Sequence, residues 1–361
     1  MQKIPVQDYT IYVGEVFAAL NKYLLDYPSS SLVIIVDENT EEYCLPILTK
    51  QLERPDFLVI KIPAGELHKN IQTCQQIWQV MMDKGLNRNA LCLNLGGGVI
   101  GDMGGFCAST YKRGIDFIQL PTTLLSQVDA SIGGKLGIDF NQVKNSIGVF
   151  RNPKGVYIYP PFLKTLPKAE IRSGFAEIIK HSLINDAEQW RQIKTIKDIS
   201  TIDWTDYLVP SLYIKKRIVE EDPFEKGLRK ALNFGHTIGH AVESQYLESD
   251  HPLLHGEAVA VGMVCEAYIS SKVSGLSQVN LEEISQFMVS IYGQYPLQKV
   301  DYPAMIQLMR KDKKNVKDEI NFTLLSSPGK CLINQTCSVA LIEESLNYYR
   351  KVSETLTVSN T

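Results

Sequence analysis

The sequence predicts a parallel α/β domain followed by a mostly α-helical one, and three observations carry that expectation. Short β-branched runs alternate with helix-like segments through the first 160 residues. Beyond Pro160 the apolar residues fall at helical spacing instead. A glycine-rich run, GGGVIGDMGG, follows directly on an apolar strand-like segment.

Taken in order, YTIYVGE (9–15) reads as a strand and EVFAALNKYL as the helix after it. SLVIIVDEN (31–39), FLVIKIP (57–63), ALCLNL (90–95), IDFIQLP (115–121) and GVYIYP (155–160) read as further strands. Runs this apolar belong to a sheet covered on both faces. Gly, Asp, Asn and Pro follow their ends, the edge at which such sheets bind ligands. KAEIRSGFAEIIKHSLI, WTDYLVPSLYIKKRIVEE and GEAVAVGMVCEAYISSKV carry helical periodicity, and only EINFTLLS (319–326) reads as extended in the second half. The expected division is therefore 1–158 and 159–361, with no internal repeat or low-complexity tract.

At 361 residues the chain can bury two cores. Its 44% hydrophobic and 21% charged residues exclude a disordered or fibrous protein. A net charge of -3 supplies no overall field for nucleic acid or an anionic membrane, so anions must be held by local Lys and Arg. Seven scattered cysteines without a CxxC pair, several inside apolar runs, fit a reducing compartment. MQKIPVQDYT has no apolar signal core, and no stretch reaches membrane-spanning length, so the expectation is a cytoplasmic protein.

Gly96, Gly98 and Gly101 satisfy GxGxxG between a strand and a helix, where backbone N–H groups can close on a pyrophosphate. No acidic residue ends the next strand, because Asp116 begins IDFIQLP. A ribose or adenine contact is expected instead from Asp37 and Asn39 of VDEN. Downstream, PTTLLSQVDASIGGKLGIDFNQVKNSIGVF holds Thr122, Thr123, Asp129, Lys135, Lys144 and Asn145 and reads as a ligand-binding loop. The Gly133-Gly134 step ahead of Lys135 suits a positioned ammonium. In the second half, His236 and His240 form an i, i+4 pair, His251 and His255 another, and Glu177 stands four residues before His181. Any of these can share a metal, and not all can be ligands.

GGGVIGDMGGF, YKRGIDFIQLPTTLLSQVDASIGGK, VKNSIGVF, SGFAEIIKHSLI, GLRKALNFGHTIGHAVE and LLHGEAVAVGM resemble, in order, signature blocks of the 3-dehydroquinate synthase family. The resemblance runs from about Pro63 to Asn321. It implies a Rossmann-like NAD-binding domain ahead of a helical metal- and substrate-binding domain, assembled as a homodimer. The implied substrate is 3-deoxy-D-arabino-heptulosonate 7-phosphate, cyclised to 3-dehydroquinate with loss of phosphate in the shikimate pathway. In the family NAD oxidises the C5 hydroxyl, phosphate leaves by elimination, the ketone is reduced again, and the ring opens and recloses. NAD is thus regenerated in each turnover, and the leaving phosphate can take the proton.

The implied metal ligands, for zinc or else cobalt, are Glu177, His236 and His255, with His240 nearby, His181 structural and His251 in a loop. Lys135, Asn145 and Lys313 or Lys314 would hold the phosphate, joined by Arg113 reaching over from a partner subunit. Lys215 and Arg229 would bind the carboxylate, and Asn233 and His240 other polar atoms. Asp129, Lys180 and Glu225 match further active-site positions. NAD contacts are implied at Ala64, Gly65, Glu66, Leu67, His68 and Lys69, and at Gly98, Val99, Ile100, Gly101 and Asp102. Thr122, Thr123, Lys135, Lys144, Phe162, Leu163, Lys164 and Thr165 complete that set. Two competing readings are a cyclase making a valiolone- or deoxy-inosose-type product and a metal-dependent alcohol or glycerol dehydrogenase. A non-catalytic NAD-binding protein is a third, disfavoured by the presence together of Glu177, His236 and His255.

Overall fold

The computed structural model describes residues 1–141, 143–247, 249–250, 252–311 and 319–358, with side chains as far as 352. The chain divides into two compact units, residues 1–167 with 204–216, and residues 168–203 with 217–361. The sequence reading ends the first domain earlier, at 158. Residues 160–165 make a 3-10 turn whose Phe162 packs into the first unit's core.

The first unit is built on a seven-stranded sheet in the order β1-β2-β9-β6-β5-β3-β4. The strands are β1 (Gln2–Val6), β2 (Tyr9–Val13), β3 (Leu32–Val36), β4 (Leu58–Lys61), β5 (Leu91–Gly96), β6 (Asp116–Pro121) and β9 (Val156–Ile158). All neighbours are parallel except β1 and β2. The reading of the sequence has no β1, since Pro5 breaks its pattern; an edge strand tolerates proline because one side of it needs no ladder partner.

Alternation along the strands sends successive side chains to opposite faces. Leu32, Ile34 and Val36 join Leu91, Leu93 and Leu95 in one core, with α1 (Phe17–Asp26) and Leu48 of α3 (Leu45–Gln51), which follows α2 (Glu38–Tyr43). Val33, Ile35 and Cys92 join the other core with α4 (Ile71–Asp83) and α5 (Gly98–Thr110).

Residues 122–150 are not the loop that their polar and glycine content suggests. Ser126–Ala130 form a π-helical turn, and β7 (Lys135–Phe140) and β8 (Val143–Phe150) form an antiparallel hairpin. Leu136 and Ile138 anchor it to the core beside α5. Its strands touch closely because a Cβ on Gly148 would stand 2.3 Å from the Leu136 carbonyl oxygen.

The second unit contains α6 (Lys168–Asn185), α7 (Ala187–Ile193), α9 (His236–Gln245), α10 (His255–Val273), α11 (Gln278–Tyr292), α12 (Tyr302–Arg310) and α13 (Val339–Val358). Between α7 and α9 the chain forms α8 (Thr205–Glu221), most of which belongs to the first unit. α10 is buried on nearly every side, as a helix apolar all round must be, and packs against α6, α9, α11 and α13. EINFTLLS overlaps β10 (Phe322–Ser327), paired with β11 (Lys330–Gln335), a strand the sequence reading lacks. Among the described residues no helix is long and apolar enough to cross a membrane.

Candidate active site

In the first unit the direction of winding reverses between β3 and β5. The chain leaves β3 outward to β4, and leaves β5 the opposite way to β6. Open α/β sheets bind ligands beyond the carboxyl ends of strands at such a point. Asp37 follows β3 there, Gly97 and Gly98 follow β5, and Ile35 and Asn94 are ladder partners just before them.

The glycines after β5 divide into two kinds. A Cβ on Gly96 would come within 2.3 Å of Ile100 Cδ1, and one on Gly97 within 2.9 Å of Thr123 Cγ2. Those two are required by packing. A Cβ on Gly98 would meet nothing nearer than Ala130 Cβ at 3.6 Å. The open side of Gly98 lies at the first turn of α5, where backbone N–H groups have no partner within the helix. The protein's own packing would admit a methyl group there, against Ala130, so packing does not require this glycine, and the residues there fit a diphosphate.

Around this edge, the Asp37 carboxylate caps α2 by accepting from the Thr40 N–H (2.7 Å) and hydroxyl (2.8 Å), and Asn39 is exposed beside it. Glu38 Oε2 accepts from the Ala64 N–H at 2.7 Å, tying the start of AGELHK to α2. Gly65 is left-handed (φ 100°), and Leu67 and His68 are exposed. Lys69 is buried, with Nζ 2.6 Å from Asp102 Oδ2 and 2.7 Å from Asn145 Oδ1. Burial pulls the Lys69 pKa down, but Asp102 and Glu66 prevail and hold it above its ordinary value. Burial raises the Asp102 pKa against the pull of Lys69, and we regard the pair as ionised because their contact is short and direct.

Thr122 donates its N–H to the Gly96 carbonyl (3.0 Å), and Thr123 Oγ1 bonds Ser126 Oγ at 2.9 Å. Lys215 Nζ lies 2.6 Å from Asp129 Oδ1 and also donates to the Asp129 carbonyl. Lys135 is exposed after two left-handed glycines, Gly133 (φ 92°) and Gly134 (φ 63°). Tyr9 Oη accepts the Gly133 N–H at 3.2 Å, a support the sequence reading lacks. Lys144 is half-buried on β8, and Arg113 is exposed with φ 69° just after α5. Val99 is half-buried, while Ile100 and Gly101 are buried. Phe162 and Leu163 are buried too, which leaves Lys164 and Thr165 at the surface.

In the second unit, three helices bring one carboxylate and three imidazoles together. His236 opens α9, His255 opens α10, His240 lies one turn along α9, and Glu177 lies in α6. Glu177 is 1% exposed, and its Oε1 is 3.5 Å from His236 Nε2 and 3.7 Å from His255 Nε2. Two ligand atoms on a tetrahedral zinc at about 2.1 Å stand about 3.4 Å apart, so these spacings suit a shared ion. The ligand atoms of His236, His240 and His255 also lie within 4.8 Å of one another. A buried carboxylate with imidazoles fits a transition ion such as zinc better than calcium or magnesium, which take oxygen donors.

The surroundings hold these ligands in place. His236 Nδ1 is 3.1 Å from the Phe234 carbonyl oxygen, and His255 Nδ1 is 3.4 Å from Glu243 Oε2. Lys180, buried, donates to Glu177 Oε2. Burial lowers the His255 pKa, but its contacts with Glu177 and Glu243 outweigh this and push it up to about 10. Glu266, fully buried on α10, accepts the N–H groups of Gly235 (2.6 Å) and Ile238 (3.1 Å) on either side of His236. α9 and α10 approach so closely that a Cβ on Gly262 would lie 1.9 Å from the Gly235 carbonyl oxygen. Glu243 and Glu266 escaped the sequence reading, although Glu243 stands two helical turns from His236 in HTIGHAVE.

Nearby in the chain, Asn233 Nδ2 donates to Glu225 Oε1 at 3.0 Å, and Glu225 is left-handed (φ 58°). Arg229 is 2% exposed and donates from Nη1 to the Pro223 carbonyl at 2.6 Å. His181 is fully buried in α6. His251, Lys313 and Lys314 lie outside the described residues.

A family model for the 3-dehydroquinate synthase N-terminal region matches residues 59–173, and one for the C-terminal region matches residues 174–315. The chain is 42% identical over 335 residues to a 3-dehydroquinate synthase of Parabacteroides distasonis, covering 92% of this chain and 95% of that one. Among solved structures, ValA (2-epi-5-epi-valiolone synthase) from Streptomyces hygroscopicus subsp. jinggangensis 5008 was determined with NAD+ and Zn2+ bound. It superposes with a TM-score of 0.85 at 25% identity, over 98% of this chain and 99% of that one. A 2-deoxy-scyllo-inosose synthase complexed with carbaglucose-6-phosphate, NAD+ and Co2+ gives 0.85 at 22% identity, over 97% and 99%, a likeness of fold alone.

The fold, the two family models and the curated relative together define an enzyme of the sugar phosphate cyclase type. Both family models match, in chain order, and the relative, matched over 95% of its length, is 42% identical. The chain belongs to the 3-dehydroquinate synthase family.

Proposed function

We propose that the chain converts 3-deoxy-D-arabino-heptulosonate 7-phosphate into 3-dehydroquinate and inorganic phosphate in the shikimate pathway, with NAD and one divalent ion, zinc or cobalt, per subunit. It works as a cytoplasmic homodimer. The observation that carries the reading is the buried Glu177 carboxylate facing His236 and His255 in a chain so similar to dehydroquinate synthases along its length.

When bound, NAD supplies a hydride acceptor that is restored within the turnover, and the divalent ion polarises the hydroxyls that react. The chain's own residues bind and orient. The first turn of α5 at Gly98 takes the dinucleotide's phosphates, and Asp37, at the end of β3, takes a ribose hydroxyl. Glu177, His236 and His255 hold the ion, with the His236 Nδ1 proton directed at the Phe234 carbonyl so that Nε2 is left bare. Lys135 and Asn145 hold the substrate's phosphate, and Lys215 and Arg229 its carboxylate. Lys69 keeps Asn145 and Asp102 in place. Arg113, exposed in this chain, completes the phosphate site of the partner subunit.

The test is incubation of purified protein with the heptulosonate phosphate and catalytic NAD, following phosphate, absorbance and product structure together. Phosphate in large molar excess over NAD, without lasting NADH, supports the reading. NADH formed in step with product would make it a dehydrogenase, and a valiolone- or deoxy-inosose-type ring another cyclase.

A further inference from the structure

We infer that Glu243 is the positioning residue for His255, accepting the Nδ1 proton so that Nε2 is presented bare to the metal. The inference rests on reading Glu177, His236 and His255 as the ligands.

Glu243 lies on α9, two turns beyond His236, and is 5% exposed. Its Oε2 stands 3.4 Å from His255 Nδ1, while His255 Nε2 faces Glu177 Oε1 at 3.7 Å. The imidazole is thus flanked by two carboxylates, one for each ring nitrogen. A ring that donates from Nδ1 has its lone pair on Nε2, the side facing Glu177. His236 meets the same need differently, with Nδ1 3.1 Å from the Phe234 carbonyl two residues back. That acceptor is main chain and comes with the start of α9. His255 opens its helix and depends on a side chain from the neighbouring helix. The two ligands are oriented independently, and only one of the two acceptors can be removed by substitution.

α9 is held against α10 by Glu266, through the Gly235 and Ile238 N–H groups, and by Gly239 and Gly262, which bring the two backbones into contact. Removing Glu243 should therefore disturb the metal site before it disturbs the fold.

The test compares full-length Glu243→Leu, which fills the space without an acceptor, with Glu243→Gln, which keeps a carbonyl acceptor without the charge. Zinc affinity is read by competition with a chromophoric chelator, the cobalt(II) absorption spectrum reports ligand geometry, and the melting temperature is taken metal-free. The leucine variant should bind zinc about ten- to a hundredfold more weakly, with an altered cobalt spectrum and the parent's metal-free melting temperature. The glutamine variant should lose less than the leucine variant, because a carbonyl acceptor for the Nδ1 proton remains. Parent-like affinity in the leucine variant overturns the inference, and so does equal loss in both. If the leucine variant does not fold, Glu243→Asp, one methylene short of His255, is read in its place under the same criteria. Full zinc affinity in His255→Ala would instead remove the ligand assignment beneath the inference.

Discussion

Replacing Gly262 with alanine adds one methyl group where α10 touches α9. Its Cβ would stand 1.9 Å from the Gly235 carbonyl oxygen and 2.7 Å from the Gly239 nitrogen. Carbon and oxygen rarely approach closer than about 3.3 Å, so one backbone must retreat by about 1.4 Å (3.3 − 1.9). Both contacted atoms are main chain, and no side-chain rotation can relieve the overlap. The segment that moves begins α9 and carries His236, whose Nε2 faces Glu177 at 3.5 Å. Metal–ligand distances tolerate about 0.2 Å, several times less than the displacement. Zinc affinity should fall by at least about a hundredfold, or about 2.7 kcal/mol. Overpacking should cost a further 1–3 kcal/mol or so of stability in the second unit. Chelator competition measures the first and denaturant unfolding of the metal-free protein the second. NAD titration serves as the control, since the glycines that fit the dinucleotide lie in the first unit. A Gly262→Ala protein that bound zinc within threefold of the parent would refute the claim that this helix contact places His236.

Three other outcomes are expected. Gly98→Ala should keep the parent's stability, because its Cβ meets only Ala130 at 3.6 Å, yet lose about tenfold or more in NAD affinity by calorimetry. His236→Ala should lose most bound zinc by elemental analysis, whereas His181→Ala should keep its zinc and lose stability by a cavity. Arg229→Ala should weaken binding of a non-reactive phosphonate analogue by about 2–4 kcal/mol, with NAD affinity little changed; unchanged analogue binding would remove the carboxylate role.

The sheet was legible wherever a strand is buried on both faces. LVIIV and ALCLNL show themselves by apolar density, because each face has its own core to fill. β1, β7, β8 and β11 were not legible. β1 carries a proline that only an edge position excuses, and β11 alternates between exposed and half-buried residues, with little apolar signal. The β7–β8 hairpin is rich in Gly, Asn and Lys and looks like a loop. Its strand character comes from Leu136 and Ile138 reaching the core and from glycines that let two backbones touch.

For the metal centre, helical spacing left three overlapping histidine options open, and spacing could not have closed them. An i, i+4 pair says which side chains share a helix face, not which other helix will face them. That is decided by the approach of α6, α9 and α10, and the approach depends on glycines scattered through the chain. A Cβ on Gly256 would lie 1.9 Å from the Ser173 carbonyl oxygen of α6, and one on Gly239 would lie 3.0 Å from the Ala258 carbonyl oxygen of α10. Each glycine removes a side chain from a helix crossing, and each crossing brings a ligand-bearing turn within reach of the others. The orienting carboxylates are hidden for the same reason, since Glu243 serves His255 and Glu266 serves the start of α9 across those crossings. A glutamate in an apolar helix such as GEAVAVGMVCEAYISSKV is then the sequence sign of a buried acceptor, because an unpaired carboxylate could not remain there.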